Sequence, residues 1–373
     1  MEKEINLFYP HVPEVARNAA RKVLDTRWIG QGPLVDKFEE VWTDKFAFPH
    51  KSVAVGSGTD ALHLSYILAG IQPGDEVVCP IFTCTATNEP ILYMGAKPVF
   101  ADIKEDSLNI NPKDVERKIT DKTKAIVCVD YGGLPCDLDE LQTIAIKHNI
   151  PLIEDAAQAH GAMYKRRYIG SIADFTTFSF QAIKIITTCD GGMLTIKDPE
   201  LEEKAKRIRW FGIDRKAKQE DRWKNDITEV GYKYQMTDFS AAMGLGAMSE
   251  IDKTLAHHRE LFETYRECLK DIPEVDFIGD DAEHQSSCWL STIKCENRDN
   301  LKNELKDKGI ESNQVHYRND IYTIFGGRVN DCPNMDKAES KYLVLPMHYG
   351  LNTKDIKRVC RVVDNFYKEL NFL

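Results

Sequence analysis

Seven short apolar runs, each about the length of a buried strand, punctuate the first two hundred residues of this chain. They are Ser52–Val55, Glu76–Pro80, Pro98–Asp102, Ala125–Val129, Pro151–Glu154, Asp174–Phe180 and Met193–Thr195. Amphipathic stretches separate several of them, at Thr59–Gly70, Ala86–Met94 and Asp137–His148. Strands that alternate with helices return by right-handed crossovers, so the pattern predicts an α/β fold: a mostly parallel seven-stranded sheet between helices. Near Asp238-Phe239-Ser240-Ala241-Ala242-Met243 the pattern changes to one long helix of small and apolar residues, reaching about Leu269. Strand-like Cys288–Lys294, a charged helix at Arg298–Lys308 and a final helix at Lys354–Phe372 follow. The expected division is a large domain over 1–245 and a smaller C-terminal α+β domain over 246–373.

At 373 residues the chain is long enough for two cores of unequal size. A formal charge of −10 repels polyanions, which excludes nucleic acid as a bulk electrostatic partner. An anionic substrate therefore needs local cations. The ten cysteines form no Cys-x-x-Cys pair and no Cys/His zinc spacing, so reduced thiols and no metal site are expected. Met1 to Asn6 is polar, and no apolar run reaches membrane-spanning length. These features predict a cytoplasmic protein with no membrane partner.

Three segments place reactive or ligand-binding residues at expected strand ends, where open α/β sheets bind their ligands. The first, Gly56-Ser57-Gly58-Thr59-Asp60-Ala61-Leu62, joins a strand to a helix. Free N–H groups and the helix dipole seat a phosphate there, the glycines allow close approach, and Ser57 or Thr59 can donate. The third glycine of a dinucleotide fingerprint is missing; a simple N-cap by Ser57 or Thr59 is the alternative. The second segment, Pro151-Leu152-Ile153-Glu154-Asp155-Ala156-Ala157-Gln158, puts Asp155 at the end of a buried strand. A carboxylate there can keep a pyridine nitrogen protonated, or it can cap a helix. Gln158 can meet the phenolic oxygen of the same ring, or close a capping box. The third segment, Ser179–Gly192, carries Lys184 on a loop five residues after Ser179. Apolar neighbours on both sides of Lys184 predict burial, a depressed pKa and a nucleophilic amine. Schiff-base amine, pyridinium partner and phosphate seat together are what pyridoxal 5'-phosphate (PLP) requires of a protein.

Further motifs extend this set: Trp28-Ile29-Gly30-Gln31-Gly32-Pro33, Pro80–Thr87, Gly95–Asp102, Gly231–Asp238 and Leu345-Pro346-Met347-His348. With them the chain resembles the DegT/DnrJ/StrS aminotransferases over essentially its whole length. The resemblance implies PLP fold type I, a homodimer with shared active sites, and amino transfer from L-glutamate to a nucleotide-linked keto-sugar. It implies that Lys184 carries PLP as a Schiff base and shuttles the proton, that Asp155 meets the pyridine nitrogen, and that Gln158 meets the phenolic oxygen. Gly58, Thr59 and Ser179, beside Ser57, would hold the phosphate. Trp28, Gly30 and Lys233 would reach in from the neighbouring subunit.

Three positions depart from the family pattern. Cys84 stands where an aromatic residue is usual, Lys233 where many members have asparagine, and Arg318-Asn319-Asp320-Ile321 follows Val315-His316-Tyr317 where Pro-Leu-His is common. Thr187-Thr188 resembles the members that aminate sugar carbon four. The expected acceptor is a nucleotide-linked 4-keto-6-deoxyhexose. A smaller keto-polyol or phosphorylated ketone is one rival, and a non-catalytic PLP-binding regulator is another. Candidate substrate contacts are Trp28, Gly30, His316 and Tyr317, with Arg209, Arg215, Arg222 or Arg318 as cations for a diphosphate. Trp210, Tyr317 or Tyr322 can stack on a base; for each arginine the alternative is a surface ion pair.

Overall fold

Strand residues that are apolar on both faces need cover on both faces, and the computed structural model arranges them so. It describes residues 3–216, 224 and 226–371. The central sheet contains β1 (Lys51–Val55), β2 (Glu76–Pro80), β3 (Lys97–Ala101), β4 (Thr123–Val129), β5 (Leu152–Asp155), β6 (Phe175–Ser179) and β7 (Gly192–Ile196). Their order is β1-β7-β6-β5-β4-β2-β3. Neighbours from β6 to β3 are parallel, while β7 runs antiparallel to both β1 and β6. The reversal follows from connection length: only the loop 180–191 joins β6 to β7, without the helix that a parallel return normally uses. That loop carries Lys184.

The helix Gly58–Leu68 packs against β6 and β7 and is buried nearly all round, an interior helix rather than an amphipathic one. Its start is fixed by Ser57, whose hydroxyl accepts a hydrogen bond from the Asp60 N–H at 3.0 Å. Its N-terminus abuts Ser179 at the end of β6 and Gly192 at the start of β7.

The single long helix expected from Asp238 is two, Asp238–Met248 and Ile251–Leu269. Ser249 bonds its hydroxyl back to the Gly246 carbonyl at 2.7 Å, and Glu250 leaves helical geometry at φ −113°, ψ 7°. Small residues in the first helix serve close packing: a Cβ on Gly246 would lie 2.4 Å from Ala16 Cα in the helix Glu14–Leu24. Residue 245, the expected domain boundary, falls inside this helix, whose Ala241, Ala247 and Met248 belong to the larger core. The change of core comes later, along Ile251–Leu269. Ile251 and Leu255 join the larger core, whereas Leu261, Phe262, Tyr265 and Leu269 join the smaller one.

The smaller core is closed by an antiparallel sheet of β8 (Val275–Phe277), β9 (Ser291–Cys295) and β10 (Tyr342–Leu345), and by the helix Thr353–Asn371. Ile5 from the N-terminal arm is part of that core and bridges to Ile310. Chain order and core membership therefore differ at both ends. Among the described residues, no helix is long and apolar enough to cross a membrane.

Candidate active site

Asp155 is the last residue of β5 and is buried. Its Oδ2 accepts from the Thr87 hydroxyl at 2.7 Å and its Oδ1 from the Ala157 N–H at 3.0 Å. Thr87 is itself paired with Thr83 at 2.8 Å, so two hydroxyls from the segment after β2 brace the carboxyl. Burial pushes its pKa up, while the Thr87 hydroxyl, the Ala157 N–H and the Lys184 charge pull the other way. No helix follows Asp155, only turns, which removes the helix-capping alternative for both Asp155 and Gln158.

Lys184 lies on the β6–β7 loop with its backbone N–H on the Gln181 carbonyl at 2.9 Å. The loop is pinned on both sides of the lysine. The Ile186 N–H donates to His160 Nδ1 at 3.2 Å, and Trp289 Nε1 donates to the Ile183 carbonyl at 3.0 Å. Burial lowers the amine from its ordinary 10.5 to about 8, against the opposing pull of Asp155 and Cys84. Below that value the group is mostly an ammonium and cannot attack. Capture of an aldehyde by the cofactor-free protein is therefore expected to quicken up to about pH 8 and level off above it. Stopped-flow absorbance of PLP binding across pH checks this; a rate still climbing at pH 10 would mean an ordinary exposed lysine.

Ser57, Gly58, Thr59 and Ser179 meet where the helix Gly58–Leu68 faces the end of β6. The approach is tight: a Cβ on Gly58 would sit 2.7 Å from Ser179 Cβ. On the other side, a Cβ on Gly192 would sit 2.3 Å from the Ser57 carbonyl oxygen. Only glycine fits at either position. Ser57 uses its hydroxyl oxygen as the helix cap, and its O–H, beside the Asp60 carboxyl, is the donor a phosphate would have to recruit.

Gln158 is committed through its amide. Its Oε1 accepts from the Gly132 N–H at 2.7 Å, and its Nε2 lies 3.2 Å from His316 Nε2. One amide N–H is left for a ligand. Burial, then the Lys184 charge, lower His316 to about 3, so its imidazole is neutral at any working pH. Cys84 ends the segment after β2, half-buried, its thiol pushed up by burial and sensing both Asp155 and Lys184. Tyr317 is exposed and pairs in register with Thr83.

Two expected substrate cations are internal braces instead. Arg209 is buried and donates from Nη1 to Glu39 Oε1 at 2.5 Å and to the Ala54 carbonyl at 2.8 Å. Arg318 is buried with its fork on Asp320, at 2.6 and 2.8 Å, and with Nη1 on Asp336. Both guanidinium groups are buried, Arg209 held through Nη1 by Glu39 and Ala54 and Arg318 bidentately by Asp320, so neither is presented to a diphosphate at the surface. Arg318→Ala is expected to cost about 3–5 kcal/mol of stability in urea unfolding, because it strands the Asp320 carboxylate.

Arg215 sits over the Trp210 ring at 4.6 Å and donates to the Gln31 carbonyl at 3.2 Å. With Trp28 it lines a groove of 980 Å³ that contains neither Lys184 nor Asp155. Trp28, Gly30 and Lys233 are exposed, Lys233 with its amine 5.5 Å from the Phe211 ring. Tyr322 is exposed at the surface, and Arg222 lies outside the described residues.

Sequence reasoning missed three site residues: Thr87, His160 and Trp289. His160 is buried and its pKa is lowered to about 3, first by desolvation and then by Lys184. Its only signal was a histidine two residues after Gln158. Trp289 had none, because its neighbours in sequence read as strand.

An amine near neutrality, a buried carboxylate, a cradle that excludes any Cβ and a helix N-terminus form a donor set that fits PLP. The described residues hold no cluster of three or more His, Cys, Asp or Glu side chains able to bind a metal. The family model for the DegT/DnrJ/EryC1/StrS aminotransferase family matches residues 11–364. GDP-perosamine synthase of Escherichia coli O157:H7 is 31% identical over 98% of this chain and 100% of its own length. The spore coat polysaccharide biosynthesis protein SpsC of Bacillus subtilis (strain 168) is 33% identical over 99% of each chain. The PLP-form structure of a putative sugar aminotransferase, Spr1654 from Streptococcus pneumoniae, aligns with a TM-score of 0.90 at 27% identity, over 96% of this chain and 97% of that one. A PMP-form of the same protein aligns equally well. The chain belongs to the DegT/DnrJ/EryC1/StrS aminotransferase family and is a PLP-dependent sugar aminotransferase.

Proposed function

We propose that this enzyme transfers the amino group of L-glutamate to a nucleotide-linked 4-keto-6-deoxyhexose, giving a 4-amino sugar. The observation that carries the aminotransferase chemistry is Lys184, an amine lowered to about 8 at the edge of a site that also holds buried Asp155. The relative named as a GDP-perosamine synthase supports a nucleotide-linked acceptor, and Thr187-Thr188 supports amination at carbon four.

PLP, when bound, supplies an electron-withdrawing ring that stabilises negative charge at the substrate carbon. The protein's own residues do the rest. Gly58 and Thr59 N–H groups with the Ser57 and Ser179 hydroxyls would hold a phosphate at the positive end of a helix. Asp155 would hold a cationic ring nitrogen, and Gln158 would donate to an oxygen on the same ring. Lys184 Nζ, as the neutral amine, would carry the cofactor and would move a proton at the substrate carbon. Neutral His316 orients Gln158 without adding charge. Cys84 occupies the place of a stacking aromatic and offers a small polarizable thiol instead.

We also propose a cytoplasmic homodimer. Phe211, Ile227 and Val230 are exposed on two segments packed together, with Trp28 and Ile29 exposed nearby in the chain's N-terminal region. Lys233 and Gly30 on that surface would then reach a partner's site.

The test is spectroscopic. L-glutamate should bleach the PLP absorbance of the purified protein, and one of UDP-, GDP- or dTDP-linked 4-keto-6-deoxyhexoses should restore it. Restoration only by a small phosphorylated ketone would replace the acceptor and keep the chemistry. No bleaching with any amino donor would sink both.

A further inference from the structure

The Lys184 amine lies 3.8 Å from the centroid of the Trp289 ring, the distance of a direct cation–π contact. The indole comes from the approach to β9, far from Lys184 in sequence. It is held there from several directions. Its N–H donates to the carbonyl of Ile183, the residue before the lysine, at 3.0 Å. Its backbone N–H donates to the Gly132 carbonyl at 3.1 Å, and its ring stacks on Phe8 of the N-terminal arm at 5.5 Å with planes 15° apart. Trp289 itself is buried. The carboxylate that acts on the lysine amine is Asp155, through its charge rather than through a hydrogen bond.

We propose that Trp289 is a positioning residue for the catalytic lysine: its ring face holds the Lys184 amine in its protonated state when that amine is not bonded to the cofactor. The proposal rests on the reading that Lys184 is the lysine that carries PLP. An amine released and recaptured in each half of a transfer reaction needs a place to wait. A hydrated one would bring water into the site, and a carboxylate partner would hold it too firmly as a cation. A π-face holds the charge without either consequence, and the same indole fixes the loop through Ile183. The amine thus returns to one position on each cycle.

The ring's quadrupole can be varied while its shape is kept. Cofactor-free protein made with 5-fluoro-, difluoro- and trifluorotryptophan would be labelled with acetic anhydride across pH, and the Lys184 peptide quantified by mass spectrometry. The amine's apparent pKa is expected to fall stepwise with fluorination, by about one unit at the end of the series, with labelling at pH 7 rising about tenfold. In Trp289→Leu the same fluorination series should leave the labelling unchanged, since the other four tryptophans are not involved. A Lys184 pKa indifferent to fluorination in the parent would overturn the proposal, as would equal sensitivity in Trp289→Leu. Borohydride trapping of PLP on the parent separates the two levels of argument. Label on Lys184 with no fluorine effect removes only the role of Trp289, whereas label on another lysine removes the underlying reading as well.

Discussion

Lys184→Ala is expected to abolish turnover, by about 10⁴-fold or more, in a protein that still folds. The proton transfer alone is worth about 10²–10⁴-fold, and the loss of a covalent attachment for the cofactor comes on top. Retention of the fold follows from how the loop is held. Its bonds to His160 and Trp289 use the backbone of Ile186 and Ile183, not the lysine side chain. The amine contributes no hydrogen bond whose loss would strand a buried partner, and its removal relieves a desolvation cost. The half-reaction with L-glutamate, followed by cofactor absorbance in single turnover, measures the loss, and urea unfolding checks the fold. A rate within tenfold of the parent would take Lys184 out of the chemistry. Unfolding of the variant would instead mean that the loop depends on the side chain itself.

The reasons that Lys184 was legible and Trp289 was not are physical. Strand ends and the glycine-rich turn are local signals, so Asp155, Ser179 and the Gly56–Leu62 segment could be placed on the correct elements from composition alone. The observed strands differ from those expected by one or two residues at their ends, with β1 starting at Lys51 and β7 extending to Ile196. The antiparallel direction of β7 was also available in principle, since twelve residues without a helix cannot make the usual crossover. What sequence patterns cannot carry is a contact between distant segments. Arg209 and Arg318 look like free cations until the partners Glu39 and Asp320 are folded against them. Asp320 is two residues from Arg318 and readable as a local pair, yet its burial depends on the strand pairing of 317–318 with 82–83. The helix break at Ser249 failed for a different reason. Small residues read as continuous helix, and the hydroxyl back-bond that ends it is a weak local preference rather than a glycine or proline.

Asp155→Asn is expected to slow both half-reactions by about 10²–10³-fold while leaving fold and cofactor attachment in place. The magnitude is that of losing one preorganised electrostatic partner in a water-excluded site. An amide is nearly the same shape as the carboxylate, and the local network can accept it. Asn can keep its oxygen on the Ala157 N–H and turn its NH₂ toward Thr87. The Thr87 hydroxyl then accepts from the amide and passes its own proton to Thr83, with which it is already paired at 2.8 Å. Every buried polar atom in this corner stays satisfied, so stability changes little. What disappears is the negative charge that holds a ring nitrogen protonated, and with it the ring's power to withdraw electrons. The expected signature is a normal Lys184–cofactor absorbance at mid pH with a slow response to L-glutamate. Substituting a cofactor analogue with a permanently N-methylated ring should restore part of the rate in Asp155→Asn. A variant as fast as the parent would assign the Asp155 carboxylate to bracing the turn through Thr87 and Ala157, and would leave the ring nitrogen without a protein partner from β5.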